Sequence, residues 1–530
     1  MATADTTSNT PPGGALFIFR RDLRTVDNVA FNLAQSREAR ILCIFIFNRQ
    51  QTSMQRNPYF SRRALTFMNE CLAELSSEIP LHCFEVGSAD DEVALLQDLD
   101  AGPFPFERVY FNRDYTPFAR SRDERILQWC SQHGKTCLDD FSDYSLVNPH
   151  TMSKPYLKYT PFLKKYLECC IPRKVGSGFS IPPNPHGLAS KSLVRLRDTP
   201  GRPRTNMHSS SSSSSSPSES DQIGGRSHAL KLLNRIRHDH YANYEQSRDD
   251  LSLTWGTTRL SSYLKFGCVS VREVLSSVIA RHGPGHGLVR ELMWRAFYDQ
   301  VIYHNPHVIV APQHSGAHDA DLQAYNNLSL KSKYDIIKWS NSEAHFKAWC
   351  SGTTGFPLVD AGMRQLLQTG YMHNRLRMLT ASFLVKVLHV DWRWGERFYA
   401  QQLTDYHPSA NSGGWQWAAG CGADSQPYLR IFSPWVQAKK FDRQCVFSRL
   451  YLPELKEVPT ADILAWGDRD HSNQLKQHVH AHDTTQIVSK HADANANAQT
   501  YPLPIVDYRA QIQVTRQNLF KPVFADALSP

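Results

Sequence analysis

The stretch A-L-F-I-F-R-R-D-L-R, Ala15 to Arg24, opens on five consecutive apolar residues and then breaks into alternating charges. An apolar run without polar alternation is the signature of a strand buried on both faces. A second run, I-L-C-I-F-I-F from Ile41 to Phe47, repeats it, and a shorter one follows at Val109 to Phe111. Between and after them lie segments with helical spacing, Tyr59 to Leu75 and Phe118 to Trp129. Strands alternating with helices imply a parallel, doubly wound sheet, an α/β domain over residues 14–145.

Downstream the pattern changes. From about Pro182 to Gly225 the composition shifts to Pro, Gly and Ser, including the uninterrupted serines Ser209 to Ser216, and nothing there can build a packed core. Residues 146–228 therefore read as a connector with a disordered Ser-rich insertion, a solvated spacer in preference to a phosphorylated one. From Ala229 strand signals fade and 3.6-residue spacing takes over, as in Leu288 to Tyr303, His373 to Val390 and Trp392 to Leu403. Residues 229–512 form an expected all-α domain, with a frayed tail at 513–530. The opening residues, rich in Thr, Ser, Pro and Gly, have the look of a flexible lead and carry no Arg-rich or apolar import signal.

Composition narrows the function classes. With 59 Lys and Arg against 50 Asp and Glu, the 530-residue chain carries a formal charge of +9, which permits a DNA partner without demanding one. A hydrophobic content of 41% argues against global disorder, and no apolar run approaches the roughly 18–20 residues that span a bilayer. The 11 cysteines are scattered and include no C-x-x-C pair, the pattern of a reduced intracellular protein without disulfides or structural zinc.

Several segments of the helical half carry chemistry. E-L-M-W-R-A-F-Y sets Glu291, Trp294, Arg295 and Tyr298 on one helical face, joining an acid, a cation and two aromatics. Alone, it reads first as an amphipathic helix with a surface ion pair. In M-H-N-R-L-R-M, Asn374 and Met378 share a face, while Arg375 and Arg377 require carboxylate or phosphate partners, Asp405 being a candidate. In A-N-S-G-G-W-Q-W, Gly413 and Gly414 would let a flat ligand approach beside Trp415 and Trp417, and a glycine turn between core tryptophans is an equal reading. G-T-T-R-L-S, Gly256 to Ser261, is an N-cap or a phosphate cradle. Gly283, Gly285 and Gly287 follow no strand, so they read as a helix-to-helix turn, and His478, His480 and His482 as a solvated loop.

Together these segments are similar to one family. F-R-R-D-L-R, G-T-T-R-L-S with S-S-Y-L-K-F-G, E-L-M-W-R-A-F-Y, T-G-F-P-L-V-D-A-G-M-R-Q-L and M-H-N-R-L-R-M-L-T-A-S-F occur in the family's order. D-W-R-W-G-E, N-S-G-G-W-Q-W-A-A and R-I-F-S-P-W-V-Q-A-K-K-F-D complete it. The chain resembles the photolyase and cryptochrome flavoproteins over nearly its whole length, and most closely the class I cyclobutane pyrimidine dimer photolyases.

The resemblance implies an N-terminal domain able to hold an antenna, either methenyltetrahydrofolate or a deazaflavin, and a helical domain binding FAD, which is reduced in the active form. It implies that Tyr244 and Thr257, Thr258, Arg259, Leu260 and Ser261 hold the phosphates and ribityl chain. By the same resemblance Arg377 pairs with Asp405 beside the ring, and Asn411 faces the flavin N5. His407 lines the flavin where many relatives carry an acid. Glu291, Trp294, Asn374, Met378 and Trp417 match the dimer pocket, and the (6-4) enzymes carry histidines where this chain has Asn374 and Met378. Trp415, Trp392 and Trp339 match the electron-hopping chain. Glu291, Trp294, Arg295, Tyr298 and Asn374, with Arg375, Arg430 and Gln437 beside Lys439 and Lys440, match or neighbour the DNA-contacting surface. The expected protein is a monomeric, nuclear repair enzyme for UV-damaged DNA. The rival reading is a cryptochrome-like photoreceptor that signals through a protein partner.

Overall fold

In the computed structural model, which describes residues 14–170, 222–309, 327–468 and 501–525 apart from 103, 141 and 426–428, the apolar runs are strands of one sheet. β1 (Gly14–Phe19) and β2 (Ile41–Asn48) are buried at every residue, as their unbroken hydrophobicity requires. β3 (Leu81–Val86), β4 (Phe106–Asn112) and β5 (Thr136–Asp140) complete a five-stranded parallel sheet in the order β3-β2-β1-β4-β5. Phe17 pairs with Cys43 on one side and Tyr110 on the other. The expected parallel α/β fold is present. Only the edge strands β3 and β5 escaped the sequence reading, because an edge strand needs no continuous apolar run and L-H-C-F-E-V and T-C-L-D-D have none.

The second half is helical, as expected. Helices Val271–His282 and Gly287–His304 are joined by the glycine turn, and the first starts on a capping box between Ser270 and Glu273. A large core gathers Trp349, Trp392 and Trp415 with the helices Pro357–Thr369, Asn374–Lys386, Trp392–Gln402 and Pro408–Ala419.

One expectation fails. The terminal segment folds back instead of fraying: Phe520 and Val523 are each 1% exposed, and the buried Thr515 hydroxyl donates to the Lys386 carbonyl at 2.6 Å. Three-residue spacing puts those two apolar side chains on one face, and the core supplies the stability that the short helices Tyr508–Val514 and Lys521–Ala525 lack alone. Ser209 to Ser216 and His478, His480 and His482 lie outside the described residues. Among the described residues no helix is long and apolar enough to cross a membrane.

Candidate functional site

The site begins with a break in the sheet's covering. Beyond the carboxyl ends of β1 and β2, Phe19, Arg21, Phe45, Phe47 and Asn48 line a cleft of about 310 Å³ that Asp114, Lys265, Glu396 and Tyr406 close from other segments. Crevices at strand carboxyl ends are where parallel sheets hold ligands. Burial, with the Arg21 guanidinium adding repulsion, pushes the Lys265 ammonium down to about 7.

The helical half builds a second candidate site on two closely packed helices. In Gly287–His304 and Pro408–Ala419 the contact is set by Gly413, where a Cβ would collide with the Tyr298 ring. This corrects the expectation for the glycine pair: Gly413 admits a neighbouring helix and only Gly414 faces open space. One turn from this contact stand Trp294 on one helix and Trp417 on the other, both half-buried. Tyr159 backs Trp294 in a parallel stack at 3.5 Å and 5°, held by its hydroxyl on the Arg290 carbonyl at 2.9 Å. Phe432 stacks on Trp417 at 6.3 Å.

Glu291 lies one turn before Arg295, but its ion-pair partner is Arg248. Burial raises the Glu291 pKa above the usual carboxyl range, against the opposing pull of that guanidinium. Arg295 instead sits beside Asp299, which favours its charge while burial lowers its pKa. His373 links these pieces. Its Nδ1 accepts from the Arg375 amide at 3.1 Å, so Nε2 is the protonated nitrogen and meets the Arg248 carbonyl at 2.8 Å. Burial drives this ring down to about 4, so it stays neutral at physiological pH. The helix it caps exposes Asn374, whose amide points at the Met378 sulfur at 3.9 Å.

Both arginines of that turn have carboxylate partners. Arg375 binds Asp249 at 2.6 Å and lies 4.5 Å from the Phe441 ring, beside the exposed Lys439 and Lys440. Gln437 is half-buried on the same Pro434–Phe441 helix, and Arg430 is exposed. Arg377 binds Asp405 at 2.8 Å, as expected.

Around Arg377 the expected flavin positions converge. Tyr371 meets Thr257 by its hydroxyl at 3.1 Å and lies under Arg259 at 5.2 Å and Arg377 at 5.8 Å. Arg259 takes φ +53°, the Thr258 hydroxyl accepts from the Leu260 amide at 3.4 Å, and Ser261 opens a five-residue helix. The segment expected to cradle phosphate is thus a strained loop and not a long helix's N-terminus. Tyr244 is buried close to Arg248. Asn411 donates to the Glu396 carbonyl at 3.1 Å, which sets its amide plane, and burial pushes Glu396 up to about 7. His407 is buried.

The residues fit a flavin nucleotide by what they leave open. Arg259 Nε, Arg295 Nε, Asp405 Oδ1 and His407 Nδ1 are buried without a hydrogen-bond partner among the described residues. Such atoms are costly unless a ligand or water completes them.

The three tryptophans run from interior toward surface. Trp415 and Trp392 are buried and Trp339 is half-buried at the edge of the same core. Trp415 packs on Gly395, three residues beyond Trp392. Trp349, which the sequence reading passed over, lies 5.9 Å from Trp415 and offers a side branch. Arg248, Asp249 and Tyr159 were also missed. The R-D-D run at 248–250 was a visible signal of charge, but partners 43 and 126 positions away are not legible from spacing.

Comparison with known proteins agrees with this geometry. Residues 15–182 match the family model described as DNA photolyase, and residues 288–521 that of the FAD binding domain of DNA photolyase. The Escherichia coli deoxyribodipyrimidine photo-lyase is 34% identical over 465 residues, 83% of this chain and 89% of that one. An archaeal photolyase structure from Sulfolobus tokodaii with two FAD molecules superposes with a TM-score of 0.68 at 31% identity, over 95% of this chain and 98% of that one. A cryptochrome from Synechocystis shares the fold at 22% identity and a TM-score of 0.72, over 96% and 99% of the two chains.

Proposed function

Since the chain belongs to the DNA photolyase family and its helical half is an FAD-binding domain, we propose that it is a light-dependent enzyme splitting cyclobutane pyrimidine dimers in DNA. The observation that carries this reading is one helical turn: the segment that holds Arg377 against Asp405 also presents Asn374 and Met378 outward, near Glu291's partner Arg248. A flavin and an everted pyrimidine dimer are thereby served by adjacent residues.

Held by Arg377, Asp405 and Asn411, reduced FAD would supply light-driven one-electron chemistry to the dimer. The chain's part is placement. Trp294 and Trp417 stack against the flipped bases, and Glu291 hydrogen-bonds their carbonyl edge. A protonated Glu291 is the form able to donate, and burial favours it once a base carbonyl replaces Arg248. Arg430, Lys439 and Lys440 neutralise flanking phosphates, with Arg375 joining them as it exchanges Asp249 for DNA. The cleft beyond β1 and β2 takes the antenna, and its Arg21 and Lys265 suit a flat, acidic heteroaromatic such as a deazaflavin.

Glu291→Ala tests the acid's role. It should lower repair yield per absorbed photon about tenfold, the worth of one charge-assisted hydrogen bond, while FAD stays bound. Glu291→Gln, which retains a donor, should lose less; equal yields in all three proteins would remove the carboxyl from the mechanism. Trp339→Phe should slow photoreduction of oxidised flavin severalfold and leave repair by pre-reduced protein intact. Normal photoreduction in that variant would route electrons elsewhere, Trp349 at 5.9 Å from Trp415 being one alternative.

A further inference from the structure

Where the two halves of the chain meet, the half-buried Arg21, Lys265 and Arg295 come together with the buried Asp299 and His407. Arg21 lies two residues beyond the end of β1 and belongs to the cleft, whereas His407 precedes the helix Pro408–Ala419 that carries Asn411 and Trp417. Arg21 Nη1 meets His407 Nε2 at 2.9 Å, while its Nη2 donates to Asp114 at 2.9 Å. A guanidinium has donors only, so Nε2 must be the accepting nitrogen. The Asp299 carboxylate, 3.6 Å from the same Nε2, is too far to claim a proton there.

Three cations, Arg295, Arg21 and Lys265, surround the imidazole, and with burial they hold it neutral. Its one proton is then on Nδ1. That atom is buried and has no partner among the described residues. A buried donor of this kind calls for an acceptor. His407 stands two residues after Asp405 and four before Asn411, and its carbonyl accepts from the Asn411 amide at 2.9 Å. The missing acceptor is therefore sought among the atoms of the ligand that those two residues are taken to flank.

We propose that His407, locked by Arg21 as its Nδ1–H tautomer, donates a hydrogen bond to a carbonyl oxygen or N1 of the bound isoalloxazine and favours its anionic reduced form. The inference rests on the FAD reading above. Arg21 is the positioning residue, and through it the wall of the cleft is joined to the flavin-facing helix. An ionised acid at this position would only accept a hydrogen bond, whereas His407 offers a donor.

The test uses the full-length flavoprotein labelled with ¹⁵N-histidine, His407 being assigned by its absence from the His407→Asn spectrum. Long-range proton–nitrogen spectra should show a neutral ring protonated on Nδ1, and this proton should move downfield when the flavin is reduced. At a fixed redox poise, His407→Asp should contain on the order of tenfold less reduced flavin, the effect of one lost hydrogen bond to a charged group. His407→Asn, whose amide mimics the Nδ1–H, should stay near the parent, and Arg21→Met should lose the single tautomer. An Nε2-protonated ring, an Nδ1–H indifferent to reduction, or an unshifted His407→Asp would each overturn the proposal with FAD still bound. A colourless protein would overturn the flavin reading itself, and the proposal with it.

Discussion

Replacing Asp405 by alanine should strip FAD from the chain and lower its stability by about 3 kcal/mol. The expectation follows from what the substitution leaves behind. The Asp405 side chain is 4% exposed and is the carboxylate that Arg377 Nη2 meets at 2.8 Å, while Arg377 Nε is spent on the Met372 carbonyl at 2.8 Å. Removing one partner of a buried pair strands the other charge, at a cost of roughly 3–5 kcal/mol. Arg377 retains 27% exposure, which places the effect at the lower end. Two readouts check it: the flavin absorbance of the purified variant and the midpoint of its denaturant unfolding. Bound flavin with an unshifted midpoint would show that the pair organises neither the ring nor the core.

The second large effect concerns damaged DNA alone. Trp417→Ala should weaken binding of a dimer-containing oligonucleotide by a factor of about 5 to 150, because stacking on one aromatic is worth about 1–3 kcal/mol per base. Trp294→Ala should act in the same direction but less cleanly, since Tyr159 lies against that indole at 3.5 Å and can take its place. Binding of undamaged duplex should hardly change in either variant, for the proposed phosphate contacts of Arg430, Lys439 and Lys440 would carry no lesion preference. Anisotropy titrations at constant salt measure both affinities. Equal losses for damaged and undamaged DNA would mean that the tryptophans support the fold and not the lesion.

How much was legible in the chain depended on the range of the interaction. The central strands declared themselves because full burial demands uninterrupted apolar residues, and the helices because their spacing is local. Edge strands β3 and β5 were silent for the opposite reason. Within the site, the residue types of E-L-M-W-R-A-F-Y and M-H-N-R-L-R-M raised a surface ion pair and carboxylate partners as readings. The geometry resolves these into Arg248 with Glu291, Asp249 with Arg375 and Asp405 with Arg377. Of the three pairs, only Arg377 with Asp405 was anticipated. Gly413 shows the same limit: a glycine next to tryptophans is equally suited to a ligand or to a helix, and only packing against Tyr298 decides. The terminal segment was misread because Phe520 and Val523 gain their anchorage from a core assembled more than a hundred residues earlier.

In the proposed reaction one hollow among the helices brings a reduced flavin against an extruded pyrimidine dimer. Illuminating the reduced flavoprotein with blue light in the presence of dimer-containing oligonucleotide, while following thymine absorbance in the ultraviolet, tests it most directly. That absorbance should recover in the light, but neither in the dark nor before the flavin is reduced. An unchanged absorbance from protein that holds reduced flavin and binds the damaged strand would contradict it, and would favour a photoreceptor built on the same fold.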